Sequence, residues 1–546
     1  MASLNSVLDI AKTALLSTEK AINVTSHNIA NANTPGYTRQ EAVLTPQAPV
    51  MYGGLMFGTG VKVVDVKRYY DNFQSVQLRD SYSSLSKYES LEELVKKLEG
   101  KFNDFSGSGL SASLGAFFNS ISDVANSPSS YGERSTLLSN ASVLAQRFND
   151  IDSSIRLDFS NINNEIKSNV YQVNTYASQI AGLNKQIATV EIAGTSANDL
   201  RDQRDTLLKG LSEIVDISTV ENSTGQVDVT VAGGFALVAG YKTFTIETEV
   251  NNDNPNILNI KSSGTVINSR ISGGSLRGVL DGAGYFQEAY DKLNMLAASL
   301  TKEMNVQHGA GYGLDGSTGL DFFSPPSVYT APSSFNTGGA MINGNSITDF
   351  SQLTLDDYEV RFSSPAAYTI VNKGTGAVVT SGAYASGSPI TVDGISFTIT
   401  DNSGAPATGD SFTLSVTKNA ARDLSVDITD PNRIAAASTA AGVPGDNTNA
   451  LAMAGLKDNA ATEGSTFLDY YNGIVTDIGV VVNEASSNVE AGKRVAEQLQ
   501  TARDSTSGVS MEEEAVNLVR LQRAYQAAAK VISTVDQMFD ALFNIR

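Results

Sequence analysis

The sequence contains no cysteine and only two histidines among its 546 residues. Without cysteine the chain can form no disulfide, offer no thiolate for catalysis and bind no metal through sulfur, although this absence does not fix its cellular compartment. The histidines, His27 and His308, lie in unrelated contexts, and no HExxH, GxSxG or Walker-type phosphate motif is present. We therefore predict no enzyme active site, no metal and no cofactor.

A secretory signal and long apolar runs are also missing. The first twenty residues lack the basic start, continuous apolar segment and small-residue cleavage site of a cleaved signal peptide. No stretch of 18 or more apolar residues predicts a membrane helix. We expect no membrane insertion, and either residence in the cytoplasm or export by a route that uses no cleaved signal.

Basic residues are scarce, since 38 Lys and Arg stand against 58 Asp and Glu, giving a net charge of −20. A chain of this charge is a poor candidate for binding nucleic acid or an anionic membrane surface. No acidic run is long enough to form a tail, so the charge is expected to be dispersed over a solvated surface.

Two patterns superficially suggest chemistry. Residues 311–316 match the GxGxxG string, but they follow a predicted helix instead of a strand, so a Gly-rich turn explains them better than a dinucleotide site. Acids and bases interleave in DLRDQRDTLLKGL, namely Asp199, Arg201, Asp202, Arg204 and Asp205. We expect these charges to pair along one helix at spacings of three and four, without a metal.

The two ends of the chain carry matching apolar patterns whose members alternate steps of four and three, the spacing of a coiled-coil seam. The N-terminal seam comprises Leu4, Leu8, Ala11, Leu15, Thr18, Ile22, Thr25 and Ile29. The C-terminal seam comprises Leu518, Leu521, Tyr525, Ala528, Ile532, Val535, Phe539 and Leu542. The termini are expected to pair, either for assembly into a larger structure or as an ordinary helix pair inside one globular domain.

The N-terminal helix is predicted to end in ANANTPGY, residues 30–37. Asn31 and Asn33 tolerate the left-handed conformation that closes helices, and Pro35-Gly36 suits the centre of a type II turn. After an extended segment over residues 38–44, the Gly-rich residues 53–71 are expected to lead back toward helix.

The middle of the chain alternates between helical and β patterns. We predict helices over residues 72–98, 283–307 and 465–546, the last broken at 505–510, and one over 132–192 that is continuous or divided near Gly182. Strands are predicted over residues 214–271 and 351–418, where Asp393-Gly394 predicts a two-residue hairpin.

This order predicts an α+β fold of discontinuous, nested domains with long central helices. Residues 1–45 with 505–546 would form a terminal coiled-coil assembly domain. Residues 46–330 with 430–504 would form an elongated helical bundle that includes a β subdomain near 214–271. Residues 331–429 would form an inserted β-rich outer domain.

Several segments resemble known flagellar proteins. ANANTPGY after an amphipathic helix, with a helical C-terminus, resembles the axial proteins of the bacterial flagellum in general. Residues 198–215, 273–281, 293–323, 430–438, 445–451 and 507–546 are similar to the flagellar hook-associated protein 1 family, the first hook–filament junction proteins. These segments span nearly the whole chain in order, and the β region near 330–430 is the least distinctive part.

The resemblance implies a structural protein, not an enzyme, that forms a ring connecting hook to filament. It implies export through the flagellar type III apparatus and a final place outside the cell, in the flagellum. The implied partners are further copies of the chain, hook protein, the second hook–filament junction protein and a cytoplasmic export chaperone on the C-terminal helix. The expected assembly surface is Leu4, Leu8, Leu15, Ile22, Ile29, Leu518, Leu521, Tyr525, Ile532, Val535, Phe539 and Leu542. The family motif maps to Asn31, Asn33, Thr34, Pro35, Gly36 and Tyr37.

Three other interpretations remain open from the sequence. A hook or rod subunit would share the ends but should lack the central block over residues 293–323. A secreted hydrolase with a helical stalk would need a nucleophile, a base and an orienting group, which the sequence does not reveal. The β insert could also bind a surface, as an adhesin does, alongside a structural role.

Overall fold

The computed structural model describes residues 2–52, 54–103 and 109–543. Its α-helices are α1 Ala2–Asn31, α2 Asn72–Phe102, α3 Leu110–Asn126, α4 Tyr131–Ile192, α5 Asn198–Ile214, α6 Gly274–Gly309, α7 Ala420–Asp423, α8 Thr448–Gly455, α9 Phe467–Ser507 and α10 Met511–Phe543. Short 3₁₀ turns cover Asn268–Arg270, Phe350–Gln352, Pro431–Arg433, Ala440–Gly442 and Leu456–Asp458.

The strands fall into three groups along the chain. The first group is β1 Gln40–Pro46, β2 Val50–Tyr52, β3 Leu55–Phe57 and β4 Val61–Arg68. The second is β5 Ile217–Glu221, β6 Val227–Val231, β7 Phe235–Ala239, β8 Lys242–Thr243, β9 Ile246–Glu249, β10 Asn259–Ser262 and β11 Thr265–Val266. The third is β12 Tyr329–Pro332, β13 Ala340–Ile347, β14 Tyr358–Ser364, β15 Ala367–Asn372, β16 Val378–Ala383, β17 Pro389–Val392, β18 Ile395–Asp401 and β19 Ser411–Ser415.

Helix α4 is the longest element of the described residues and runs without a break through Gly182. At about 1.5 Å per residue its 62 residues span roughly 93 Å. Its N-terminus is capped by Ser130, whose hydroxyl accepts a hydrogen bond from the Glu133 amide. Apolar side chains at helical spacing, including Phe148, Ile155 and Ile166, are fully buried. The prediction of one continuous helix is confirmed.

Helices α2, α4, α6 and α9 form the helical body of the protein. Helix α2 packs against both α6 and α9, and α4 packs against α3, α5 and α6. The pairing of α2 with α9 brings residues near the start of the chain against residues near its end. This nested arrangement of long helices with β insertions confirms the predicted α+β fold class.

Helix α6 begins nine residues earlier than the sequence predicted, at Gly274 instead of residue 283. Its glycines look like helix breakers, but two of them allow close packing against α2. A Cβ on Gly278 would lie 2.1 Å from the Lys87 carbonyl oxygen, and one on Gly282 would lie 2.6 Å from Leu94. These glycines are therefore contact points between helices.

The second strand group forms a four-stranded sheet, β5-β6-β7-β8, and a three-stranded sheet, β11-β10-β9. Both lie against α4, which contacts β7, β8 and β9. The third group forms a five-stranded sheet, β12-β19-β14-β15-β16, and a three-stranded sheet, β13-β18-β17. Asp393 and Gly394, with φ angles of 41° and 77°, form the predicted two-residue turn between β17 and β18.

The third group starts at residue 329, before the predicted start near 351, because β12 and β13 lack clean alternation. Pro332 ends the edge strand β12, where a missing amide hydrogen costs no ladder bond. Strand β13 contains polar residues and an irregularity between Asn343 and Ser346. Neither feature predicts a strand.

Residues 53–71 lead to helix α2, which begins at Asn72 as expected, but the strands within this segment were not predicted. Strands β2 and β3 form a hairpin, and β4 pairs antiparallel with β1 along its length. In β4 the sequence VKVVDVKR alternates apolar and charged residues up to Lys67 except for Val64, which is the extra residue where the register shifts opposite Val43 and Leu44.

The glycines of α6 provide a test of the α2–α6 contact. Gly278→Ala is expected to lower the stability of the helical body by about 1–3 kcal/mol, because its Cβ has no space. Gly284→Ala, on the exposed side of the same helix, is expected to raise stability by about 0.5–1 kcal/mol. Thermal unfolding followed by far-UV circular dichroism measures both. Equal effects of the two substitutions would contradict the close-contact role of Gly278.

Candidate assembly surface at the paired termini

Helices α1 and α10 pack against each other, as the two apolar seams predicted. They run antiparallel, because Asn28 near the end of α1 bonds to Glu514 near the start of α10. This pairing brings the predicted seam residues of the two ends together in one surface.

The seam is only partly covered within one chain. Val535 is buried, and the other predicted assembly residues with described side chains are half-buried: Leu4, Leu8, Leu15, Ile22, Ile29, Leu518, Leu521, Tyr525, Ile532 and Phe539. The side chain of Leu542 lies outside the described residues. Further apolar side chains on the same helices are exposed, among them Leu16, Val519 and Met538.

The motif that follows α1 forms the predicted turn. The Tyr37 amide donates to the Thr34 carbonyl at 3.1 Å, and Gly36 between them has a φ of 81°. This conformation is the one that a type II turn requires of its third residue. Pro35 and Gly36 are exposed, so the turn lies at the surface.

The expectation of left-handed asparagines was wrong, since neither Asn31 nor Asn33 has a positive φ. Instead, the Asn31 side-chain amide donates to the His27 carbonyl at 3.0 Å, and its oxygen accepts from the Thr34 hydroxyl at 3.2 Å. Asn33 is exposed. The helix is therefore closed by side-chain hydrogen bonds of Asn31 and not by a left-handed residue.

Asn28 is the buried centre of a polar network that the sequence analysis missed. Its amide nitrogen donates to the Gln40 carbonyl at 2.8 Å and to a Glu514 carboxylate oxygen at 3.1 Å. Its oxygen accepts from the Tyr37 hydroxyl at 2.8 Å and from the Gln40 amide at 3.0 Å. One side chain therefore joins α1, the motif turn, β1 and α10.

Glu514 is also buried, with 2% of its surface exposed. Its other carboxylate oxygen accepts from Arg39 Nε at 2.7 Å, while Arg39 Nη1 reaches Glu513 at 2.9 Å. The Arg39 amide donates to the Ser507 carbonyl at 2.9 Å. Because a buried carboxylate is tolerated only with hydrogen-bonding partners, this arrangement fixes the start of α10 against β1.

The aspartates of α5 connect this region to the helical body. Arg68 Nη1 of β4 lies 2.5 Å from Asp202 and 3.0 Å from Asp205. The Thr38 amide donates to Asp202 at 3.0 Å, and Gln40 Nε2 donates to Asp199 at 2.9 Å. These bonds join α5 to both strands of the β1–β4 ribbon.

The expected pairing of charges along α5 was therefore wrong in its partners. Arg201 bonds to Glu191 at the end of α4 and to Glu221 of β5. Arg204 is buried and donates to Asn184 and the Gly225 carbonyl. The aspartates face the terminal region and the arginines face the second strand group, so α5 is a bridge between them.

Burial and charge set the protonation states in this network. Burial raises the pKa of Tyr37, and the carboxylates of Asp199, Asp202 and Glu514 raise it further. The hydroxyl therefore stays protonated and can donate to Asn28. Burial would lower the pKa of Arg68, but Asp205 and Asp202 outweigh it and raise that pKa. Arg68 thus remains a cation among its aspartates.

The β2–β3 hairpin is a further apolar surface beside the terminal helices. Val50, Met51, Leu55, Met56 and Phe57 are all between 48% and 69% exposed. The ribbon from which it projects packs on α1, where the Ser17 hydroxyl donates to the Val61 carbonyl at 3.0 Å. The sequence contains a signal for this apolar surface, because residues 48–60, APVMYGGLMFGTG, include no charged residue.

His27 and His308 have structural partners. His27 Nδ1 lies 3.1 Å from the Tyr37 hydroxyl. His308 is buried, and its Nε2 accepts from the Ala435 amide at 3.0 Å while Nδ1 lies 2.7 Å from the Leu320 carbonyl. Across the described residues we find no cluster of three or more potential metal ligands. None of the helices described is long and apolar enough to cross a membrane.

The role of Glu514 can be tested by substitution. Glu514→Ala removes the acceptor of Asn28 and Arg39, and is expected to destabilise the α1–α10 pair by about 1–3 kcal/mol. The matched control is Glu512→Ala, because Glu512 occupies the same helical turn and is exposed, and its side chain has no hydrogen bond or ion pair among the described residues. Hydrogen exchange of the α1 amides measures the difference. Similar exchange rates in the two variants would contradict a role of Glu514 in holding α1 against α10.

Family models cover most of the chain in sequence order. The model of the flagellar hook-associated protein FlgK helical domain matches residues 95–323, and that of the flagellar hook-associated protein 1 D2-like domain matches residues 332–416. At the ends, the flagella basal body rod protein model matches residues 8–38, and the flagellar basal body rod FlgEFG protein C-terminal model matches residues 500–545. The ends thus resemble several axial proteins, whereas the middle is specific.

Whole-chain comparison agrees with these matches. The flagellar hook-associated protein 1 of Salmonella typhimurium is 31% identical over 559 residues, covering 100% of both chains. That of Escherichia coli strain K12 is 31% identical over 554 residues, again covering 100% of both. The flagellar hook junction protein FlgK from Burkholderia pseudomallei has a similar fold, with a TM-score of 0.66 and 22% identity over 80% of this chain and 100% of that one. The full-length identity shows that the chain belongs to the flagellar hook-associated protein 1 family and is a structural component of the bacterial flagellum, not an enzyme.

Proposed function

We propose that this protein is the ring-forming adaptor between the flagellar hook and the filament. Copies of the chain contact one another, with hook protein on one side of the ring and the second hook–filament junction protein on the other. The paired terminal helices form the assembly surface, through the seam residues from Leu4 to Ile29 and from Leu518 to Leu542. The role is mechanical and involves no bond chemistry.

The observation that carries this proposal is the incomplete coverage of the paired termini. Most seam residues remain half-buried, and apolar side chains lie exposed on α1, on α10 and on the β2–β3 hairpin. Contiguous exposed apolar surface is typical of protein–protein interfaces. A helix pair buried inside one globular domain, the other interpretation of the seams, would leave much less of it open.

The nested fold supports the proposed division into domains. Residues 1–45 with 505–546 form the assembly domain, 46–330 with 430–504 form the elongated body, and 331–429 form the outer β-rich domain. The boundary between residues 45 and 46 falls within the β1–β4 ribbon, whose two strands pair across it. A paired ribbon is a stiffer connection than a single extended linker, which suits a part that transmits torque.

Export would precede assembly, through the flagellar type III apparatus and without a cleaved signal peptide, placing the mature protein outside the cell. The exposed apolar face of α10 would need cover before that step. An amphipathic helix of this kind fits a hydrophobic groove, so we assign a cytoplasmic chaperone to α10 until export.

A cell lacking this protein tests the proposal. Complete hooks without filaments, together with filament protein lost into the medium, are expected by electron microscopy of the cells and analysis of the medium. Reintroducing the full chain should restore filaments. Normal filaments in its absence would refute the junction role, and absence of hooks as well would indicate a rod or hook subunit.

A substitution in the seam tests which surface assembles. Ile532→Asp is expected to abolish incorporation, because a charge in an apolar contact costs more than about 2 kcal/mol. Ser533→Asp, at the adjacent exposed position, is expected to incorporate normally. Motility in the complemented cell and detection of the protein in purified hooks measure both. Normal motility with Ile532→Asp would contradict the assigned surface, provided that circular dichroism shows an intact helical body for both variants.

A further inference from the structure

Helix α10 carries a second heptad stripe besides the seam that faces α1. Its members are Ala524, Ala527, Val531, Thr534, Met538 and Ala541, which alternate steps of three and four. All six are exposed. Each precedes a seam residue by one position, so this open stripe of α10 lies about 100° around the helix from the seam. Uncharged, mostly small residues at heptad spacing are suited to close contact with another helix.

Helix α1 has a corresponding open stripe on its own outer side. It comprises Asp9, Lys12, Leu16, Glu19, Asn23 and Ser26, all exposed. Each follows a seam residue by one position, instead of preceding it. The remaining side of α1 is covered by the β1–β4 ribbon, where Ser17 and Ala21 are buried.

The opposite offsets place the two open stripes on opposite sides of the helix pair. In an antiparallel pair, equal offsets from the seam would put both stripes on the same side. Here the offset is plus one on α1 and minus one on α10, so the stripes face opposite directions. Two complementary surfaces on opposite sides make a head-to-tail contact that repeats from copy to copy, and such contacts form a ring when the rotation between copies closes.

The heights of residues along the pair are fixed by the Asn28–Glu514 hydrogen bond. Both helices rise about 1.5 Å per residue, so a residue nine before Asn28 is level with the residue nine after Glu514. Glu19 is therefore level with Arg523. By the same count, Leu16 is level with residue 526, between Ala524 and Ala527.

Exposed charges favour this alignment at the end of the α1–α10 pair nearest the helical body. Arg520 and Arg523 border the open stripe of α10 and are exposed, and Glu19 is exposed on α1. None of the three belongs to an ion pair within the described ranges. Lys12 comes level with Lys530, an unfavourable pair, so the attraction is centred on Glu19.

We propose that the open stripe of α10 receives the open stripe of α1 from an adjacent copy of this chain at the same height in the ring. Leu16 of that copy sits against Ala524 and Ala527, and its Glu19 pairs with Arg520 and Arg523. This inference rests on the proposed ring, and it specifies the faces and the charge pair that join neighbouring subunits.

Charge reversal in cells lacking the native protein tests the pair. Glu19→Arg and Arg523→Glu are each expected to reduce incorporation into hooks about tenfold, because like charges then meet at the contact. The double variant should recover to within about twofold of the native level. Lys20→Glu reverses a charge one position from Glu19 but off the stripe, and should incorporate normally. Normal assembly of both single variants, or failure of the double variant to recover, would overturn the proposal.

Cysteine crosslinking gives a second readout that does not depend on charge. The chain has no cysteine, so Leu16→Cys with Ala527→Cys introduces the only two thiols. Because these positions face opposite sides of one pair, oxidation of assembled hooks should give dimers and higher multimers. Either single variant should give none. Absence of multimers in assembled hooks would refute these faces, whereas a deletion strain with normal filaments would refute the ring itself.

Discussion

The structure depends on one buried carboxylate, that of Glu514, which holds together residues from both ends of the chain. Its bond to Asn28 joins residues 486 positions apart, and its bond to Arg39 satisfies the remaining charge. A carboxylate without these partners would be too costly to bury, so the two terminal helices have one favourable register. Everything between them must then form a closed loop, which is why the domains are nested.

Helix α5 connects the terminal helices to the helical body through further buried charges that need partners. Arg68 of the ribbon and Thr38, just before β1, both contact Asp202, while Arg201, the residue before Asp202, contacts Glu191. Tilting the terminal pair relative to the body would pull Arg68 and Thr38 away from Asp202 and expose charged groups without partners. The polar network therefore acts as a stiff joint, in a place where an apolar contact of the same size could slide.

Local patterns predicted the elements well and their partners poorly. The periodicity of α4, the Asp393-Gly394 turn and the terminal seams depend on neighbouring residues, and the structure has them as predicted. The early start of α6 depends on α2, because Gly278 is explained only by the Lys87 carbonyl. The aspartates of α5 pair with a strand more than a hundred residues away, so no spacing rule within the helix could reveal Arg68. The polar joint of the site belongs to this second class, whereas the exposed hairpin has a local signal in its uncharged sequence.

Partial burial of the seam implies that assembly supplies part of the stability of the terminal pair. Ordering some sixty helical residues carries a conformational cost of about 1–2 kcal/mol each, and half-covered side chains offset it incompletely. Any neighbour that covers the open surfaces stabilises the paired state in proportion to its affinity and concentration. A terminal pair that is weak alone and strong in contact becomes fixed only where a neighbour covers its open surfaces.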